Sequence, residues 1–206
     1  MSGPTRDFWQ QRFDTNSTPW DRGAPSPQLA LWLADGVLRA NTRIVVPGCG
    51  AGHEVRALAE AGLRVTGLDY APSAIERARA TLAGSSAPVA VADLRCADVL
   101  QWRPQEPLDA VYEQTCLCAL HPDLWIDYAA QLHAWLRPHG LLCALFMQAR
   151  RDGADQGLVE GPPYHCDINA MHALFPATRW HWPKPPYDAV MHPRGWFELP
   201  VVLARR

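Results

Sequence analysis

Lysine is almost missing from this 206-residue chain, with Lys184 the sole example beside a full complement of arginine. Codon bias in a GC-rich genome is the expected explanation, and the bias carries no function by itself. Excess charge of one sign is missing too: 19 basic residues against 21 acidic ones give a formal net charge of -2. A nucleic-acid binder neutralises phosphates with a basic face, so no nucleic-acid partner is expected. No run of about 18 apolar residues occurs, and the N-terminal region, broken by Asp7, Asp14, Asp21 and prolines, lacks the apolar centre of a signal peptide. No membrane partner is expected, and the expected location is cytoplasmic. The six cysteines, at 49, 96, 116, 118, 143 and 166, all but Cys166 lie in or beside apolar runs. Paired disulfides are not expected in a reducing compartment. Cys116 and Cys118 stand too close, with no second ligand pair, for the usual zinc spacing, so no metal is expected.

Apolar side chains are plentiful, at 48% of the residues, including nine tryptophans. A chain of this length then has enough apolar surface for one large core, so residues 1–206 are read as a single domain. Residues 1–28, rich in Pro, Trp, Asp and Ser, read as a cap with a short helix at Phe8–Phe13 and irregular chain over Trp20–Pro27. Beyond it, compact apolar runs alternate with helical periodicity. Helix is expected at Leu29–Leu38, strand at Arg43–Pro47, helix at Glu54–Ala61, strand at Arg64–Asp69 and helix at Ser73–Leu82. Then come strands at Val89–Ala92 and Leu108–Glu113, a helix at Pro122–Leu136 and a strand at Leu141–Met147. This alternation predicts a doubly wound α/β fold, a parallel sheet covered on both faces. The C-terminal third differs, with a short helix at Ile168–Leu174 and two strands, Arg179–Trp182 and Trp196–Leu203, expected to form a hairpin at the sheet edge.

The chemistry is carried by Gly48-Cys-Gly50-Ala-Gly52, where the first strand turns into a helix. Glycines there let the backbone approach a ligand closely, ahead of free helix N–H groups. A dinucleotide site usually reads G-x-G-x-x-G, but His53 occupies the slot of its last glycine. The G-x-G-x-G form is typical of enzymes using S-adenosyl-L-methionine (SAM). Asp69, ending the second strand, can accept hydrogen bonds from both ribose hydroxyls, and Tyr70 can stack on adenine. Asp69 can equally serve as an N-cap for the helix that starts near Pro72.

These features extend along the chain. The segments Phe8-Trp9, Thr18-Pro-Trp-Asp21, Pro47 to Glu54, Gly67-Leu-Asp69, Ala97-Asp-Val99, Cys118 to Pro122, Leu136 to Gly140 and Gly161-Pro-Pro-Tyr164 resemble the thiopurine S-methyltransferase family, and its halide and thiol methyltransferase branch in particular. The resemblance implies a class I methyltransferase fold, a Rossmann-like three-layer sandwich whose seven-stranded, mostly parallel sheet has an antiparallel C-terminal strand. It implies SAM as cofactor, with S-adenosyl-L-homocysteine (SAH) as product. By it, Trp9, Phe13 and Trp20 fold over the cofactor, Gly48 and Asp69 hold its methionine and ribose ends, and Asp98 with the Val99 backbone reads adenine. Asp93 is an alternative to Asp98, and Trp9 and Trp20 could be plain core aromatics. The chain departs from the family at Gln114, where members often carry Tyr or Arg; its amide can still donate to a carboxylate.

Methyl transfer from a sulfonium to an anion consumes charge, so an apolar, water-excluding pocket favours it. Phe8, Trp20, Cys116, Leu117, Pro163 and Tyr164 are the expected acceptor-side residues. Glu113 is a candidate base or else a carboxylate bonded to backbone or cofactor, while Tyr164 could orient the acceptor. His165, His172, His181 and His192 fit no metal template and are read as surface or satisfied histidines. The expected activity is methylation of a small soft nucleophile: a thiol, hydrosulfide, a halide or a thiopurine. An O- or N-methyltransferase and a SAM-binding protein without turnover are the alternatives. The expected partner is a small-molecule acceptor, and the protein a monomer or weak dimer.

Overall fold

In the computed structural model, which describes residues 3–85 and 91–206, the central strand is β1 (Arg43–Pro47), with four of its five residues buried. β1 pairs in parallel with β2 (Arg64–Asp69) on one side and β4 (Leu108–Gln114) on the other. A central strand of a parallel sheet is covered on both faces, which its near-continuous Ile-Val-Val run satisfies. Ile44 and Val46 face a core with α2 (Pro27–Ala34), α3 (His53–Glu60) and α4 (Pro72–Ala83). Val45 faces the other core, with α5 (Trp125–Trp135) and α6 (Ile168–Leu174). The expected three layers follow from this alternation.

The remaining strands are β3 (Ala92–Cys96), β5 (Leu136–Gln148), β6 (Trp180–His181), β7 (Val190–Met191) and β8 (Phe197–Arg205). They run in the order β3-β2-β1-β4-β5-β8-β6, a path of seven strands, with β7 as an eighth that pairs with β8 alone. β8 is antiparallel to β5, β6 and β7. The C-terminal pair is therefore not confined to the edge: β8 inserts between β5 and β6 and only β6 is marginal. The strand order reverses between β1 and β4, the switch point where open α/β sheets form a crevice at the carboxyl ends of their strands.

Several boundaries differ from the sequence reading. Of the strand expected at Val89–Ala92, positions 89 and 90 lie outside the described residues. The strand actually seen is β3, an edge strand whose polar, half-exposed residues offer no apolar run to detect. The helix expected from Pro122 begins as a 3-10 turn at Pro122–Leu124, and Leu136 already belongs to β5. β5 starts earlier than expected because Leu136 pairs with Leu108 before a register shift. α2 ends at Ala34, short of Leu38, and α4 is capped by Ala71 rather than by Asp69. All six cysteines are free, and Cys166, expected outside the apolar runs, is fully buried with its N–H on the Met147 carbonyl at 2.8 Å. No helix among the described residues is long and apolar enough to cross a membrane.

The N-terminal helix α1 (Arg6–Asp14) is started by Thr5, whose hydroxyl accepts from the Phe8 N–H at 3.3 Å. It docks on the start of α4, where the Gln10 amide donates to Ser73 Oγ at 2.6 Å and Arg77 reaches the Phe13 carbonyl. At Gly52, which precedes α3 with φ of +78°, an added Cβ would lie 2.8 Å from the Ala78 Cβ on α4. The third glycine of the triplet thus lets two helices approach. Left-handed backbone costs a non-glycine residue about 1–2 kcal/mol, and overpacking adds about 1–3 kcal/mol. Gly52→Ala is expected to lower the thermal midpoint by roughly 5–15 °C, read by calorimetry, at about 2–4 °C per kcal/mol for a chain of this size. An unchanged midpoint would show that the α3–α4 contact yields freely.

Candidate active site

Gly48 and Gly50, with φ of +60° and +51°, turn the chain out of β1. A Cβ on Gly48 would lie 3.0 Å from Cys116 Cβ, just beyond β4, so the first glycine lets the ends of β1 and β4 meet at the switch point. Above them opens a cavity of about 710 Å³. Its floor includes Gly48, Gly50, Asp69, Tyr70, Asp98 and Cys116, and its roof is Phe8, Trp9, Phe13 and Trp20. The roof aromatics stand edge to face, at 5.1 Å for Phe8 with Trp9, 5.4 Å for Trp9 with Trp20 and 6.0 Å for Phe13 with Trp20. Such geometry suits the ring quadrupoles and holds the roof as a unit. These tryptophans cover a cavity rather than fill the main core.

Asp69 is buried. One carboxylate oxygen accepts from the Gly50 N–H at 3.1 Å and the other from the Ala71 N–H at 3.0 Å. The acid therefore ties the glycine turn to the end of β2. Burial pushes its carboxyl up to about 6, against the pull of the backbone donors. Asp98 faces the cavity with one oxygen on the Leu100 N–H at 2.8 Å. The Gln101 and Trp102 N–H groups turn back to the Asp98 carbonyl, leaving the Val99 N–H with no partner among the described residues. Asp93 pairs instead with Arg95 at 2.7 Å on exposed β3, away from the cavity. Tyr70 lies on the wall, its carbonyl accepting from Arg6 Nε at 2.9 Å.

Of the expected acceptor-side residues, Phe8, Trp20, Cys116 and Pro163 line the cavity. Burial, and then the neighbouring Glu113, push the Cys116 thiol well up, so it is a neutral wall group. Leu117 and Tyr164 are not on the wall. Leu117 is packed in the core, and Tyr164 is buried behind His121, its N–H on the Cys118 carbonyl at 2.7 Å. Glu113 is also off the wall. It accepts from the Leu117 N–H at 2.8 Å and from the Tyr128 hydroxyl, and burial pushes its carboxyl up to about 7. The geometry makes it a brace for the turn after β4, not a base in contact with an acceptor. Thr115, in that turn, holds φ of +63°, a conformation costing a β-branched residue about 1–3 kcal/mol.

Gln114 lines a smaller cleft beside the glycine turn rather than the main cavity. Its carbonyl accepts from the Tyr112 hydroxyl at 2.8 Å and its amide donates to both oxygens of Glu198, at 3.1 and 3.2 Å. Glu198 also pairs with Arg22 at 2.7 Å. Residues 21–26 are further fastened by Asp21 to His53 Nε2 at 3.0 Å and by the Ser26 N–H to Glu54 at 3.0 Å. His192, read as surface or satisfied, is buried and stacked on Trp196 at 5.8 Å, its Nδ1 accepting from the Arg194 N–H at 3.3 Å and its Nε2 without a partner among the described residues. His165 Nδ1 is likewise buried without a partner. Burial and the nearby Arg22 and Arg194 depress His192 to about 4, so it is neutral.

Sequence reading missed Met147, Arg151 and Trp196, which close the far wall, Arg151 lying 5.1 Å over the Trp196 ring. It also missed His121, which entered only as part of a string; a polar residue between the apolar Cys118-Ala-Leu and a proline was the available signal.

The profile of the thiopurine S-methyltransferase (TPMT) family matches residues 4–195. Thiocyanate methyltransferase 1 of Arabidopsis thaliana is 34% identical over 166 residues, spanning 81% of this chain and 70% of the plant protein. A thiopurine S-methyltransferase of Xanthomonas campestris is 29% identical over 189 residues, 84% of this chain and 83% of its own length. Among solved structures, the Burkholderia thailandensis 1,6-didemethyltoxoflavin-N1-methyltransferase, with bound 1,6-didemethyltoxoflavin and S-adenosylhomocysteine, superposes with a TM-score of 0.72. At 19% identity, covering 100% of this chain and 93% of that one, it is a likeness of fold.

Proposed function

Because this chain belongs to the thiopurine S-methyltransferase family, we propose that its cavity holds SAM against a small soft nucleophile and catalyses S-methylation. The observation that carries this reading is the convergence of Gly48, Gly50 and Asp69 on one cavity at the β1–β4 switch point. The residues fit the cofactor: a side chain on Gly48 would meet Cys116, whereas glycine leaves the floor open, and a carboxylate at the end of β2 suits a pair of ribose hydroxyls. Asp98 can accept from the adenine amine and the unpartnered Val99 N–H can donate to a ring nitrogen. Tyr70 offers a stacking face, and Trp9, Phe13 and Trp20 present ring faces and edges to a sulfonium cation. When bound, SAM supplies a methyl group activated by positive charge on sulfur.

The chain's own contribution is orientation and exclusion of water. Phe8, Trp20, Cys116 and Pro163 give the acceptor an apolar, polarizable surround in which an anion is poorly solvated and reacts readily with a cation. Leu117 and Tyr164 support that wall from behind. We further infer a single domain that acts on a small molecule in the cytoplasm, as a monomer or weak dimer, with residues 1–28 as a cap.

The test is SAH release across graded acceptors. A small thiol, hydrosulfide, iodide and a thiopurine are expected to turn over at least about 100-fold faster in kcat/KM than a phenol or an amine, a discrimination of about 2.7 kcal/mol. Turnover of the phenol or amine alone would replace the acceptor class with oxygen or nitrogen. SAM binding without SAH from any acceptor would make the protein a SAM binder.

A further inference from the structure

We propose that Arg151 and Arg194, at the far end of the cavity, form a carboxylate subsite that selects acceptors carrying a thiol and a carboxylate on one molecule; the proposal rests on the S-methylation reading above and narrows its substrate class. Charge is divided along the cavity wall. Its carboxylates, Asp69 and Asp98, lie on the floor with the glycine turn. Of its four arginines, Arg6 and Arg12 belong to α1 and are occupied: Arg6 Nε donates to the Tyr70 carbonyl at 2.9 Å, and Arg12 lies 4.9 Å over the Phe8 ring and donates to Ser17 Oγ at 3.2 Å. Arg151 and Arg194 line the opposite end, and neither guanidinium has an ion-pair partner among the described residues.

Local structure carries the two cations as a unit. Arg194 stands in the turn between β7 and β8, which is closed three times: the His192 N–H donates to the Trp196 carbonyl at 2.8 Å, the Gly195 N–H to the His192 carbonyl at 2.9 Å and the Arg194 N–H to His192 Nδ1 at 3.3 Å. Arg151, just beyond the end of β5, places its guanidinium 5.1 Å over the ring of Trp196 from that same turn. Stacking on an indole leaves the in-plane N–H groups of an arginine free to bond elsewhere. Since Nδ1 of His192 accepts, the hydrogen of this neutral ring is on Nε2, buried and without a partner among the described residues. An unpaired N–H adds partial positive charge to the same end of the cavity.

The nearby acids do not cancel that charge. Glu198 is fully buried and committed to Arg22 at 2.7 Å and to the Gln114 amide, while Asp152 and Glu160, on the chain after β5, are off the cavity wall. A guanidinium presents a planar fork of donors that matches a carboxylate bidentately, and the apolar Met147, Pro163 and Trp196 beside it strengthen such a contact by keeping water away. A halide or hydrosulfide, a single heavy atom, offers this wall nothing to hold. A mercapto acid has one group for each end: the soft sulfur for the donor's methyl group and the carboxylate for the arginines.

The experiment measures SAH release by the full-length protein from mercaptoacetate, 3-mercaptopropionate and 4-mercaptobutyrate, each against its neutral alcohol: 2-mercaptoethanol, 3-mercaptopropanol and 4-mercaptobutanol. The acid-to-alcohol ratio of kcat/KM is expected to peak at the chain length that spans the methyl group and the arginines. At that length Arg151→Gln and Arg194→Gln should each lower the ratio about tenfold, the low end for a hydrogen bond to a charged group, since Arg151 is half-buried and Arg194 exposed. Comparing variant with wild type cancels the intrinsic ionisation of each thiol. A ratio that moves by less than about twofold in either variant, the scale of an exposed ion pair, overturns the paired subsite, while SAH from any of the thiols leaves S-methylation standing. Wild-type turnover of a phenol or an amine with none of the thiols overturns the S-methylation reading and the subsite with it.

Discussion

Asp69→Ala is expected to weaken SAM binding at least about 100-fold by calorimetry near pH 7.5. Each hydrogen bond from a ribose hydroxyl to a charged acceptor is worth about 1.5–3 kcal/mol, so losing two removes about 3 kcal/mol or more, and each 1.4 kcal/mol is tenfold in affinity. The same change frees the Gly50 and Ala71 N–H groups, now held at 3.1 and 3.0 Å, and so loosens the turn under the ligand. The wild-type protein should show the matching pH dependence. Burial raises the Asp69 carboxyl to about 6, so the group's contribution to folding of the free protein is present below the ordinary carboxylate range and is lost as pH rises through about 6. Ligand binding has the opposite sign, because the hydroxyl donors need the ionised acid. Affinity should fall about tenfold per unit below about pH 6 as one proton competes. The SAM-induced rise in thermal midpoint should accordingly be larger at pH 8 than at pH 5. A flat affinity across that interval would remove Asp69 from the ribose site.

Glu198→Ala is expected to cost about 3–5 kcal/mol, because it strands the Arg22 guanidinium without its counter-charge. The pair is deeply placed, with side chains 13% and 0% exposed, so solvent screening offers little relief. Burial pushes the Glu198 carboxyl up despite Arg22 and the Gln114 amide, which means desolvation outweighs the attraction. An apolar pair is then the better test of the cause: Arg22→Met combined with Glu198→Leu should recover most of the lost stability, read by denaturant unfolding. SAM affinity should not recover in the double variant, since Arg22 anchors the chain that leads into Trp20 through Met191 and Glu198. A double variant as unstable as Glu198→Ala would show that packing, not the stranded charge, sets the loss.

The strands and helices that were legible share one property: their local pattern agrees with their surroundings. β1, β2 and α6 match their expected limits because apolar runs, or Asp167 capping Asn169 and Ala170, mark both ends. β3 escaped because an edge strand can be polar, and the start of β5 escaped because a register shift interrupts the pairing between Leu136 and Leu141. That Gly48, Gly50 and Asp69 share one cavity was legible for the same reason, since glycines and an acid at strand ends are local signals. Which side chains after β4 reach the cavity wall was less so. Gln114 ends β4, yet Glu198, a residue far along the chain, turns it away from the main cavity. Glu113 sits at the right end of β4 but is used up by Leu117 and Tyr128.

By itself the sequence determined the layered fold, the glycine turn with Asp69, the aromatic cap and the kinship, because each depends on residue types at short spacing or on a pattern running the length of the chain. Tertiary structure alone decided which side chains share a surface: that Gly48 meets Cys116, that Gly52 meets Ala78, that Arg22 meets Glu198, and that His121 stands on the cavity wall with Tyr164 behind it. Such meetings are made by strand order and helix packing, which bring distant positions together by burying apolar surface and leave no mark on the residues between them.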